Sequence, residues 1–189
     1  MEKKEARKIF REKRNALTAK ERLKLDDLLL IQFQRAELPF INNVLTYWPI
    51  EVHAEPNTHL YTRYLEFKYP GLQILYPKTD FTTHEMNAVL VQEDSNFEQN
   101  AYYIYEPVSG EIIDPIDIDM VIVPLLSCDS KGYRVGFGKG MYDRFLSRCK
   151  EDCIKIGFSY FEPIDALDDC HQFDVPLNLC ITPQAVYVF

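Results

Sequence analysis

Apolar positions recur at helical spacing near the N-terminus, where Ala6, Ile9, Phe10 and Leu17 form one stripe and predict a helix over 2–17. Thr18 followed by Glu21 reads as a capping box, so a second helix starts there and runs to Arg35, burying Leu25, Leu28, Leu29 and Phe33. Short apolar runs then predict strands over 43–48, 72–76, 86–91, 121–123, 153–158, 179–182 and 185–188. Helices are expected at 59–68, capped by Asn57 or Thr58, and at 141–149. Pro49 and Pro77 are expected to end the first two strands, 92–119 to be irregular, and 161–169 to be a loop or short helix. Helices alternating with short apolar strands imply one α/β domain over 1–189, a three-layer α/β/α sandwich around a mostly parallel sheet. Ligands of such sheets bind outside the carboxyl ends of strands, which points to Trp48–Glu55, Pro77–Lys78 and Asp129–Asp143.

Charge changes the reading of the first helix. The chain carries a net charge of −8, against general nucleic-acid binding, yet residues 1–24 hold ten Lys/Arg and four Glu. Lys3, Arg7, Arg11 and Arg14 fall along one helical face, either as a solvated stripe or as an anion clamp. No apolar run reaches the ~18 residues of a membrane span, and the charged N-terminus does not read as a signal peptide. Five cysteines are an odd count without a small-scaffold framework, so reduced thiols and a cytoplasmic location are expected. Cys149 and Cys153 could share a helix face, but no second Cys/His pair at zinc spacing accompanies them. The four histidines match no metal-site spacing.

The chemistry concentrates in one loop. Gly132, Gly136, Gly138 and Gly140 are interleaved with Lys131, Arg134 and Lys139, between the strand at 121–123 and the helix at 141–149. Glycines allow close backbone approach, and basic groups at a helix start favour an anion, so a phosphate cradle is expected. The common glycine codes fail. A P-loop needs Gly where Tyr133 stands and Ser/Thr where Gly140 stands; a dinucleotide fingerprint needs Gly at Met141.

The ordered run Val123-Pro124, Asp129, then Gly132-Tyr133-Arg134-Val135-Gly136-Phe137-Gly138-Lys139-Gly140-Met141-Tyr142-Asp143 resembles the 5-formyltetrahydrofolate cyclo-ligase family, also called methenyltetrahydrofolate synthetase. Lys3-x3-Arg7, Tyr47-x-Pro49, Glu55-Pro56-Asn57-Thr58 and Glu106-Pro107 fall in the family's order, so the resemblance covers nearly the whole chain. It implies ATP- and Mg2+-dependent conversion of 5-formyltetrahydrofolate to 5,10-methenyltetrahydrofolate, with ADP and phosphate released.

Position by position, the resemblance implies that Lys3 and Arg7 hold ATP phosphates. Gly132, Tyr133, Arg134, Val135, Gly136, Phe137, Gly138, Lys139 and Gly140 would wrap the triphosphate, with Arg134 and Lys139 as catalytic cations. Glu55 would bond the pterin, lined by Trp48, Tyr102, Met141 and Tyr142. Asp143 would hold Mg2+. Asn178 stands where the family often has a second acid, four residues after Asp174, and Met141 stands where it usually has Tyr. Arg11 and Arg14 stay open between surface charge and a share in the clamp, and Lys78 between phosphate and the folate glutamate tail. A monomer with no nucleic-acid or membrane partner is expected. The alternatives are a folate- or nucleotide-binding module without turnover and a ligase for another small formyl or carboxyl acceptor.

Overall fold

The computed structural model describes all of residues 1–189. Its centre is β7 (Met120–Val123), preceded in the chain by α1 (Lys3–Asn15), α2 (Ala19–Arg35), β1 (Asn43–Leu45), α3 (Thr58–Lys68), β2 (Gln73–Asp80), β3 (Glu85–Leu90), β4 (Phe97–Gln99), β5 (Tyr105–Pro107) and β6 (Ile112–Ile113). After it come β8 (Ser127–Cys128), β9 (Arg134–Val135), α4 (Met141–Leu146), β10 (Ile154–Phe158), β11 (Leu179–Ile181) and β12 (Val186–Val188). Eight strands form one sheet in the order β12-β11-β10-β7-β1-β2-β3-β6. The five from β11 to β2 are parallel; β12 and β3 run antiparallel to them at either side, and β6 pairs antiparallel with β3.

Alternation along β7 assigns the layers. Met120 and Ile122 join the cluster containing Leu29 and Phe33 of α2 and Tyr61 and Leu65 of α3, whereas Val121 and Val123 join Phe145 and Leu146 of α4. All four β7 residues are fully buried, as expected for a strand covered on both faces. No helix is long and apolar enough to cross a membrane.

Helix α1 belongs to neither layer. Ala6 and Phe10 pack on Leu126, Val135 and Leu167, beyond the carboxyl end of β7. Its first turn has no local side-chain cap; Asp169 instead accepts from the Lys3 N–H at 2.8 Å. The terminal ammonium of Met1 bonds Asp168 at 2.6 Å and the Ala166 carbonyl at 3.2 Å. The basic helix is therefore fastened to the acidic 165–174 segment, over the strand ends where an α/β sheet opens.

The α2 capping box forms as expected, with the Glu21 N–H on Thr18 and the Thr18 N–H on Glu21. Other expectations need correction. Pro77 does not end β2; the strand continues to Asp80 with Pro77 opposite Ala88, because β1 pairs only through Leu45↔Leu75 and no neighbour there requires the missing N–H. Residues 92–119 hold three short strands, β4 to β6, too brief for a hydrophobic period to register. Helix α4 ends at Leu146, so Cys149 and Cys153 do not share a helix, whereas 161–169 is a loop, one of the two forms expected of it. All five cysteines are free thiols.

Candidate active site

The loop read as one cradle divides in two. Its first half is structural. Arg134–Val135 forms β9, paired with β8. Val135 is fully buried, Tyr133 packs beside the α1 cluster, and Asp129 accepts from the Lys131 and Tyr133 N–H groups, each at 2.9 Å. A Cβ on Gly132 would lie 2.8 Å from both the Leu177 carbonyl and the Phe189 ring. Gly132 is thus required by packing against the C-terminal strands. Gly132, Tyr133 and Val135 do not reach the cavity described next.

The second half, Gly136 to Asp143, walls a cavity of about 670 Å³ together with Lys3, Arg7, Trp48, Glu55, Tyr102 and the Arg134 side chain. Arg7 Nε–H donates to the Gly136 carbonyl at 2.8 Å and lies over Gly138, whose φ of +89° disfavours any residue with a side chain. The backbone turn and the basic helix are thus one surface. Helix α4, at six residues, is too short for the macrodipole expected of it; side-chain cations supply the positive charge here. Lys139 is exposed and its ammonium has no partner within the protein. Arg134 is engaged: Nη2 meets Asp143 Oδ1 at 2.9 Å, and Nη1–H donates to the Val175 carbonyl at 2.7 Å. The Val175 N–H closes the ring by donating to Asp143 Oδ1 at 3.0 Å.

Aromatic groups form the opposite wall. Trp48 packs on His59, Phe97 and Tyr105 with centroids 4.7–5.1 Å apart, and Tyr102 lies 4.3 Å from Phe81. Phe137, from the glycine turn, stacks on His53 at 5.4 Å. Between the walls sits Glu55, 8% exposed, with Oε2 accepting from the Ile50 N–H at 2.8 Å. Burial pushes its carboxyl up to about 7 against the pull of that N–H and of Arg14. Burial likewise raises the Tyr142 phenol, with the Glu55 charge adding to it. Met141 lines the cavity, presenting a thioether where a ring is usual in the resembled pattern.

Three residues depart from expectation. Asn178 is not at the cavity: its side-chain oxygen accepts from the Lys155 N–H at 2.8 Å, beside β10 and β11. Lys78 bonds the Val108 carbonyl and does not line the cavity. Arg14 is no surface charge; it is fully buried, with Nη2–H on the Leu125 carbonyl at 2.5 Å. Arg11 is exposed. Sequence reasoning missed Asp169 and gave Asp174 no role beyond marking the pattern that ends at Asn178; both are at the cavity, and Lys3 Nζ is paired with Asp174 at 2.5 Å. The signal was present as an acidic run, Asp165 to Asp174, matching a basic N-terminal helix.

No cluster of three or more His, Cys, Asp or Glu side chains is placed to hold a metal ion by itself. Magnesium commonly takes one or two carboxylates, with water and substrate phosphates completing its shell. Asp143 fits that minimal role, having Oδ2 free of the Arg134 and Val175 contacts that engage Oδ1.

The sequence model of the 5-formyltetrahydrofolate cyclo-ligase family matches residues 1–183. A 5-formyltetrahydrofolate cyclo-ligase of Mycoplasma pneumoniae is 31% identical over 97% of this chain and 100% of its own. The solution structure of Aquifex aeolicus 5,10-methenyltetrahydrofolate synthetase superposes with a TM-score of 0.81 at 31% identity, covering 100% of this chain and 93% of its own. A 5,10-methenyltetrahydrofolate synthetase structure from Mycoplasma pneumoniae gives a TM-score of 0.74 at 29% identity, covering 96% and 98%.

Proposed function

Because the chain is an enzyme belonging to the 5-formyltetrahydrofolate cyclo-ligase family, we propose that its cavity couples ATP to ring closure of 5-formyltetrahydrofolate, giving 5,10-methenyltetrahydrofolate, ADP and phosphate. The observation that carries this reading is the Arg7–Gly136 bond, which makes helix and turn one basic wall facing the aromatic wall around Glu55. A triphosphate and a pterin are the ligand types those walls suit.

The chemistry asks little more of the protein. A formamide oxygen is a poor leaving group. Transfer of the γ-phosphoryl group onto it makes an imidate-like phosphate, which N10 of the folate attacks. The C–O bond then breaks, the oxygen departs with phosphate, and N10 gives up its proton. Phosphoryl transfer needs positioning and charge neutralisation, with no nucleophile from the protein. Lys139, free of internal partners, meets the moving phosphoryl charge. Lys3 and Arg7 hold the remaining phosphates, and Arg134 adds positive charge behind the turn. Asp143 Oδ2 would hold Mg2+, which when bound neutralises phosphate oxygens. Ionised Glu55 accepts from the N–H and amino edge of the pterin, while Trp48, Tyr102, Met141 and Tyr142 cover its faces.

The test is formation of the near-ultraviolet methenyl chromophore from 5-formyltetrahydrofolate, with and without ATP and Mg2+. Absorbance growth only in their presence, with ADP in equal amount, is expected. ATP binding without chromophore would leave a binding module.

A further inference from the structure

Arg14 is the group that the site does not explain. It lies on the same helix as Lys3 and Arg7 but is fully buried, and its Nε–H and Nη1–H have no partner. Its one bond holds it to the Leu125 carbonyl, past the end of β7 and next to Pro124 of the cavity wall. A guanidinium with unpartnered donors is a costly core filler, and an apolar side chain of similar volume would fill the space without that cost. Something other than packing holds it there.

Its surroundings show what. Helix α1 packs against the 51–53 turn, which leads directly to Glu55. The Arg14 charge pulls against the burial of the Glu55 carboxyl, although the two form no contact ion pair. The other titratable groups around Glu55 are phenols: Tyr47 beyond β1, Tyr142 on α4, and Tyr160 beyond β10, whose hydroxyl donates to the Glu55 carbonyl at 3.4 Å. Asp26 of α2 stands behind Tyr160, accepting its hydroxyl at 2.9 Å. His53 of the same turn feels Arg11 and Arg14, and its buried Nδ1 has no partner.

We infer that Arg14 is a positioning residue for folate recognition, a buried guanidinium on the helix that packs against the turn before Glu55, which acts through Glu55 by favouring its charged form, the acceptor-only form that the donor edge of a pterin needs. The inference rests on the reading of Glu55 given above. A guanidinium suits the task because it stays charged even in a dry interior, and it need not touch the ligand. Its field costs the cavity no volume.

The experiment is binding of 5-formyltetrahydrofolate without ATP, read from Trp48, the only tryptophan of the chain and a cavity residue. Arg14→Gln is expected to weaken binding about tenfold at pH 7 and to recover most of it at pH 9, where Glu55 ionises without help. ATP affinity should stay within about twofold of wild type, and Arg14→Lys, which keeps the charge, should fall between the two. If Arg14→Gln does not fold, Arg14→Met, which fills the same buried volume, carries the same expectation. Weakening of folate binding that is equal at both pH values, or that ATP binding shares, would mean a merely structural role and overturn the inference; so would unchanged binding. Glu55→Gln separates the two levels. If it binds folate like wild type, the reading of Glu55 itself falls and Arg14 with it. If it binds poorly while Arg14→Gln binds normally, only the role of Arg14 falls.

Discussion

The Arg7 guanidinium donates from Nε to the Gly136 carbonyl at 2.8 Å across 129 residues of sequence. That bond unites the helix and the glycine turn into a single wall. Truncating Arg7 to Ala removes both the charge and the cover over Gly138. The expected result is a raised KM for ATP, by roughly tenfold, with folate affinity nearly unchanged, since charge-assisted bonds contribute about 1.5–3 kcal/mol. Steady-state kinetics with each substrate varied separately check this.

Lys139 differs from its neighbours in having nothing to hold it within the protein. Lys139→Ala should therefore leave thermal stability unchanged while lowering kcat by ~100-fold or more, the usual scale for a lost charge-stabilising group. A rate equal to wild type would remove Lys139 from the phosphoryl site.

Arg134 and Asp143 form a ring with Val175, and the Arg134 side chain is only 6% exposed. Asp143→Asn keeps the shape but leaves a buried guanidinium without its counter-charge. A loss of about 3 kcal/mol is expected in urea titration, the lower end for broken buried pairs because Asn still accepts from the Val175 N–H. Activity should fall beyond what this loss explains, since the same substitution removes the one carboxylate oxygen free for Mg2+.

Local chemistry in the sequence was enough for α2, whose Thr18 and Glu21 form the capping box that the spacing implies. It also pointed to the loop after β7 as a ligand site, and Gly136 to Asp143 do wall the cavity. What depends on distant partners was not legible. Gly132 looks like the other glycines, but the Leu177 carbonyl and the Phe189 ring determine its role. Arg14 shares a helical stripe with Arg7, and only the Leu125 carbonyl reveals that one is buried and the other lines a cavity. Pro77 reads as a strand end until the early stop of β1 shows why proline is harmless there. Asn178 matched a position in a pattern, but the Lys155 N–H occupies its side chain.

Gly132→Ala provides a control away from the cavity. A methyl group 2.8 Å from the Leu177 carbonyl, at a φ of +84°, forces β11 or the C-terminus to shift. Stability should drop by roughly 2 kcal/mol or more, while KM for both substrates stays near wild type in the fraction that remains folded.

Glu55 gives the unliganded protein a pH signature. Its carboxyl, raised from 4.5 to about 7 by burial, binds a proton in the folded state that the unfolded chain has already lost. The associated stability is fully present below pH 4.5 and is lost as pH rises through about 7. That amounts to about 3 kcal/mol, at 1.36 kcal/mol per unit. Glu55→Gln should flatten the stability curve over this range, and denaturant titrations from pH 4 to 8 measure it.

The central claim is that the formyl oxygen is phosphorylated within this cavity. Substrate labelled with oxygen-18 in the formyl group tests it most directly, by mass analysis of the phosphate released in a single turnover. The account predicts one labelled oxygen in the phosphate for each methenyl product formed. Label appearing in water, with unlabelled phosphate, would contradict it.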